Sequence, residues 1–136
     1  MGGKAYCWGY NGNGQLGDGG PVNLIPTIPT AVLTSLTFTS LTAGFAHTCG
    51  VDVLSSMAYC WGANSSGQLG TGTTGGQALV PTAVFGTLVF TSLTAGYYHT
   101  CGMAAGVAYC WGDNSFGAVG DNTTTNRNVP TPVSGQ

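Results

Sequence analysis

The side chains with the most chemistry to offer in this sequence are five cysteines and two histidines, and their spacing is regular. Cys49 and Cys60 stand 11 positions apart, Cys101 and Cys110 stand 9 apart, and His47 and His99 each precede a cysteine by two residues. Residues two apart on a strand share a face, so His47 joins Cys49 and His99 joins Cys101. Two arrangements compete for these groups. A His, a Cys and a facing Cys would offer three ligands to a zinc with one open position, whereas two facing cysteines would close a disulfide. The two readings exclude each other, and reduced thiols packed as small hydrophobes form a third. Disulfides Cys49–Cys60 and Cys101–Cys110 are expected, with no metal and no cofactor. His47 and His99 are then structural, with ring nitrogens bonded to backbone across the sheet.

The hairpin geometry behind that expectation can be worked out residue by residue. A two-residue turn at Ala105-Gly106 pairs Ala104 with Val107, Met103 with Ala108, Gly102 with Tyr109 and Cys101 with Cys110. Pairs alternate between hydrogen-bonded and non-hydrogen-bonded from the turn outward, which places the two cysteines at a close, non-hydrogen-bonded site. The first hairpin is two residues longer, and a four-residue turn from Val53 to Ser56 restores the same pairing. Cys7 has no partner at this spacing. It is expected to be unpaired or bonded to another molecule.

Other candidates are weaker. Asn64-Ser65-Ser66 and Asn122-Thr123-Thr124 are acceptor triplets for N-glycosylation, read as lying in exposed loops. The loop from Gly9 to Gly17 is rich in glycine but lacks the lysine and following helix of a phosphate-binding loop. Asp18 and Asp121 occupy corresponding loops, where Thr71 stands in the middle copy, and turn formation explains them better than calcium binding. No catalytic set is visible. The chain has four carboxylates, scattered in loops and turns, and no serine nucleophile motif, whereas acid–base work needs a titratable group held against a substrate.

The elements that must position these residues repeat. Ala5-Tyr6-Cys7-Trp8-Gly9 recurs as Ala58-Tyr59-Cys60-Trp61-Gly62 and Ala108-Tyr109-Cys110-Trp111-Gly112; Cys7 to Cys60 is 53 positions and Cys60 to Cys110 is 50. A strand-rich repeat of that length signals a propeller or solenoid. Each unit reads as four short strands: a Thr-rich strand, a His-Thr-Cys strand, the Ala-Tyr-Cys-Trp strand and a strand carrying proline, which belongs at an edge because proline cannot donate to a ladder. The expected fold is all-β, with propeller blades of four antiparallel strands. Residues 1–35 form the last two strands of one blade, with an edge strand or connector over Val22 to Val32. Residues 36–84 and 88–133 form complete blades and 134–136 a tail. Trp8, Trp61 and Trp111 are structural positions of the repeat, together with His47 and His99.

Composition narrows the function. Only 4% of residues are charged, and Lys4 and Arg127 are the only cations besides the histidines. A nucleic-acid partner is excluded on that ground, because phosphates need a basic patch. No apolar stretch reaches the roughly 18 residues of a membrane span, and no signal peptide is visible at Met1-Gly2-Gly3-Lys4.

The motifs Ala-Tyr-Cys-Trp-Gly-x-Asn-x-x-Gly-Gln-Leu-Gly, Pro-Thr-x-Val and Leu-Thr-Ala-Gly-x-x-His-Thr-Cys-Gly resemble those of the regulator of chromosome condensation repeat family. The third copy departs, with Gly117-Ala118-Val119-Gly120 in place of Gly-Gln-Leu-Gly. The resemblance implies a β-propeller of typically about seven blades, of which about two and a half are present. It spans activities from nucleotide exchange on a small GTPase to secreted bacterial binding proteins, including a β-lactamase inhibitor. Disulfides point outside the cytoplasm, so a non-enzymatic extracellular or cell-surface module is expected, part of a fibre or sheath. The alternatives are a closed protein-binding inhibitor or adhesin and, less favoured by charge and cysteines, an exchange factor. The expected partners are other copies or further parts of the same array, and a protein reached through loops 10–20, 63–77 and 113–128, since loops carry function on a rigid scaffold.

Overall fold

A computed structural model describes residues 2–136; Met1, the first residue of the expected leading half-blade, lies outside them. Every regular element among the described residues is a strand. β1 (Tyr6–Cys7) pairs with β2 (Thr30–Ala31). β3 (Phe38–Ala43), β4 (His47–Asp52), β5 (Ala58–Ala63) and β6 (Gln77–Ala83) form one antiparallel sheet in that order. β7 (Phe90–Ala95), β8 (His99–Ala104), β9 (Val107–Gly112) and β10 (Arg127–Pro132) form a second in the same order.

The hairpin registers follow from turn chemistry. Ala104 pairs with Val107 and Cys101 with Cys110. Ala105 and Gly106 take φ of 50° and 81°, the double left-handed conformation that lets a two-residue turn match the twist of its strands. The longer first hairpin pairs Val51 with Ala58 and Cys49 with Cys60. Its turn is held by the Asp52 carboxylate, which accepts from the backbone N–H and the hydroxyl of Ser55 at 2.9 and 2.8 Å. These bonds, led by the backbone one, hold the Asp52 carboxyl below its ordinary pKa.

The proline segments differ among themselves. β6 and β10 are full outer strands, each with a register irregularity. The expected strand over Val22 to Val32 shrinks to Thr30–Ala31. Pro26 and Pro29 remove donors along it, and it is tied down instead by single bonds from Gly9 N–H to Pro26 O and Asn11 N–H to Leu24 O.

The apolar cores lie between successive sheets. One holds Ala5, Val32, Phe38 and Trp61, the other Cys49, Val51, Leu69, Val84, Phe90 and Trp111. Within each blade the tryptophan packs on a phenylalanine, Phe38–Trp61 and Phe90–Trp111, with ring centroids 5.8 Å apart in both. Among the described residues no helix is long and apolar enough to cross a membrane.

Candidate functional site

The two cysteine pairs sit where the hairpins place them. Cys49–Cys60 and Cys101–Cys110 are disulfides, each with Cα atoms 4.1 Å apart, the close spacing of a non-hydrogen-bonded pair. With their sulfurs joined, the His-Cys-Cys zinc arrangement is not formed, and among the described residues no three ligating side chains converge. Each bridge closes a short loop, so its entropic contribution is about 2–3 kcal/mol. The oxidised chain should weigh four hydrogens less than the fully reduced one. Cys49→Ser/Cys60→Ser should unfold about 2–3 kcal/mol sooner in urea, and an unchanged midpoint would show that the sheets hold without the staple.

Cys7 is a free, half-buried thiol. Burial, aided by the nearby Asp18 carboxylate, pushes it up to about 11, so at neutral pH it is a protonated and slow nucleophile.

The residues repeated in the motif converge on the joint between blades. The Gln15 carbonyl accepts the indole N–H of Trp61 at 3.0 Å and the hydroxyl of Thr48 at 2.9 Å. One repeat later the Gln68 carbonyl accepts Trp111 at 3.0 Å and Thr100 at 2.9 Å. The first two of these loops thus each latch the next blade by a backbone carbonyl. The loop is shaped for this from within. The Oδ1 atoms of Asn11, Asn64 and Asn114 accept the N–H of Leu16, Leu69 and Val119 at 3.1, 3.2 and 2.9 Å. Gly70 closes the loop with φ of 68°, and a Cβ there would lie 2.6 Å from the Trp111 Nε1. Both the backbone and the indole therefore require glycine.

The histidine belongs to the same latch. His47 Nε2 lies 2.9 Å from the Thr100 hydroxyl. That hydroxyl gives its proton to the Gln68 carbonyl, so His47 must donate from Nε2, leaving Nδ1 as a bare acceptor. Nδ1 is buried and has no partner among the described residues. The expectation of ring nitrogens bonded to backbone is corrected: the bond goes to a side-chain hydroxyl of the next blade. Burial, with a smaller contribution from His99, lowers the His47 pKa to about 4, because a proton on Nδ1 would be a charge facing no acceptor.

Two further expectations are revised. Trp61 and Trp111 are fully buried, but Trp8 is 59% exposed; equal sequence positions differ because no described loop covers Trp8. The Asn64 triplet is not an exposed acceptor. Asn64 is buried, and its amide nitrogen bonds the Thr73 carbonyl at 3.1 Å, so a glycan there would break the loop. Asn122 is exposed, with φ of 62°. Asp121 is a turn-former: Thr123, then Arg127 and Asn114, bond its carboxylate and hold it down to about 2.

What sequence reasoning passed over is a cluster of rings. The turns from β3 to β4 and from β7 to β8 lie at the same end of the sheets as the loops after β5 and β9. There Phe45 stacks on Tyr97 with centroids 4.2 Å apart, and Tyr98 meets both rings edge-on, at 5.8 and 4.6 Å. Phe45 and Tyr97 are each 58% exposed. Phe116 projects from the loop after β9, and it shares a depression with Tyr97, Tyr98, His99 and Asp113. The signal was available: in Leu-Thr-Ala-Gly-x-x-His the variable pair holds Phe45, Tyr97 and Tyr98.

The sequence profile described as the Regulator of chromosome condensation (RCC1) repeat matches residues 2–51, 57–103 and 105–136. The chain belongs to the RCC1 repeat family. The boundaries matter. The first two matches each begin near the Ala-Tyr-Cys-Trp strand of one blade and end on the His-Thr-Cys strand of the next, so the unit of sequence straddles two units of structure. Among solved structures the chain resembles Prp20p from Saccharomyces cerevisiae, described with its binding to Gsp1p and histones, at TM-score 0.86 and 23% identity over 98% of this chain and 34% of that one. The same yeast protein, bound to Kap60, matches at TM-score 0.83 and 21% identity, over 98% and 33% of the two chains. Human WBSCR16 matches at TM-score 0.82 and 21% identity, over 97% and 33%. These likenesses show the propeller fold, and the chain spans about a third of the length of each.

Proposed function

We propose that this chain is a non-enzymatic, protein-binding segment of an extracellular RCC1-repeat propeller, and that its partner contacts centre on the aromatic end of the blades. The observation that carries the reading is the cluster of Phe45, Tyr97 and Tyr98, with Phe116 beside it. Exposed tyrosines and phenylalanines held by one another bury large area at little cost in side-chain entropy, which is the character of interface hot spots. The cluster lies among loops 63–77 and 113–128, on a scaffold with 4% charged residues, which suits an uncharged protein surface better than histone-like or phosphate partners. The similar yeast propeller is described with protein partners, in line with a binding role. The extracellular part of the proposal rests on the two disulfides, which persist in oxidising compartments.

Benzoylphenylalanine in place of Tyr97 should photo-cross-link a discrete extracellular protein. The same probe in place of Phe85, an exposed ring away from the cluster, should not. Equal labelling from both positions, or labelling of cytosolic proteins alone, would overturn the reading.

A further inference from the structure

We propose that the joint between the two complete blades is an acid-operated clasp: a proton taken up by His47 opens it and parts Phe45 from Tyr97, so that a partner held at the aromatic end is released in acid. The release rests on the reading of that cluster as the binding surface; the clasp itself does not. The joint lies inside the chain, between β3–β6 and β7–β10.

The two rings stand on matching turns. Phe45 lies between Thr42 and His47, and Tyr97 between Ala95 and Thr100. Both flanks are tied across the joint. Ala95 N–H donates to the Thr42 hydroxyl at 3.0 Å, and His47 Nε2 lies 2.9 Å from the Thr100 hydroxyl. The stacked rings, 4.2 Å apart, are thus held between two hydrogen bonds. The first bond joins groups that do not titrate. The second ends on an imidazole whose other nitrogen is buried with no partner among the described residues.

That nitrogen sits where the turns touch. A Cβ on Gly44 would lie 2.4 Å from His47 Cε1, 2.7 Å from Nδ1 and 2.5 Å from the carbonyl oxygen of Gly96 on the next blade. The Gly96 oxygen makes no bond to Nδ1. A proton there would be a buried charge without an acceptor, and water reaches it only if the turn at Gly44 draws away from the turn at Gly96. That movement separates Phe45 from Tyr97.

The surroundings leave His47 as the trigger. β3, β7 and the loop 64–70 carry no titratable side chain, and Asp52 stands at the far end of β4. The tyrosines of the neighbouring strands and turns are neutral below about pH 9. Cys7, which shares a depression with His47, is pushed up to about 11. His99 is the group whose charge acts on His47, and it opposes the proton.

Amide hydrogen exchange on the oxidised chain tests this, because it reads local opening. Protection of Ala95 N–H, corrected for the intrinsic rate, should fall about a hundredfold from pH 7 to pH 4. The fall should begin near pH 6.5 and level off near the His47 ring-proton midpoint, a comparison that needs no variant. His47→Gln keeps a donor for Thr100 but no titrating nitrogen, and should hold the protection constant. His99→Gln should still show the fall. Constant protection in the unsubstituted chain, the same fall in His47→Gln, or protection at Ala95 equal to that of the β4–β5 ladder would overturn the clasp; the last would mean that the rings part only when the sheet unfolds. The photo-cross-link from position 97 should weaken at pH 4.5 and persist there with His47→Gln, and equal yields at pH 7 and pH 4.5 without that substitution would overturn the release. No cross-link at pH 7 would overturn the partner reading and the release that rests on it, and leave the clasp to the exchange result, which is measured on the free chain.

Discussion

Trp111→Ala should lower the unfolding free energy by about 3–5 kcal/mol, the range for deleting a large buried ring. This should show as a fall of order 10 °C in the thermal midpoint for a domain of this size. The ring is fully buried, packs on Phe90 at 5.8 Å and gives its N–H to Gln68 O, so its removal opens a cavity and strips a buried carbonyl of one donor. The same substitution at Trp8, measured at high dilution, should change stability by no more than about 0.5 kcal/mol, as at other exposed sites. Both residues occupy the same position of the same motif. A comparable loss at both sites would mean that the tryptophan stabilises its own strand rather than the joint between blades.

Acid should loosen the same joint. In the unfolded chain His47 titrates near 6.5, and in the folded chain its pKa is lowered to about 4. The unfolded state therefore binds the proton first. The contribution of neutral His47 is complete above pH 6.5 and is lost as pH falls from 6.5 to about 4. It totals about 3 kcal/mol at roughly 1.4 kcal/mol per pKa unit. The carboxylates fall in a different window: Asp52 and Asp121 have lowered pKa values, so their contributions are lost only below the ordinary carboxylate range. Urea midpoints at pH 7 and pH 4.5 should differ accordingly. With two histidines in the chain, a ring-proton NMR titration with His99→Gln for assignment reads His47 directly. A His47 midpoint near 6.5 would contradict the buried, bare Nδ1.

How much of this could be read from sequence depended on where the partner atom sits. The hairpins were legible because a two-residue turn fixes every pair behind it, and Cys101 could be placed opposite Cys110 by counting. The blade was legible because proline marks the outer strand and the Cys-Trp motif marks the period. The latch was not. Its acceptor is a backbone carbonyl, at Gln15 and Gln68, and a carbonyl leaves no trace in residue type. The same blindness misplaced the histidine's partner, since Thr100 comes from the following blade and only the packing of blades brings it to His47. Asn64 was misread because Asn-Ser-Ser looks like a polar surface triplet, whereas its amide is consumed inside the loop. Trp8 could not be told from Trp61 because burial there is a property of the neighbouring loop.

The position of the disulfides relative to the repeat boundary carries a mechanical consequence. Cys49 and Cys60 lie on either side of the boundary between two RCC1 repeats, as do Cys101 and Cys110. A pulling force transmitted along the chain therefore bypasses each β-hairpin through its sulfur bridge. The separation of 11 positions from Cys49 to Cys60 represents about 35 Å of contour that cannot be drawn out under load, until a reductant releases it. Extension is then confined to the stretches between bridges, where the blades meet, so under tension these blades should part from one another before any of their central hairpins opens.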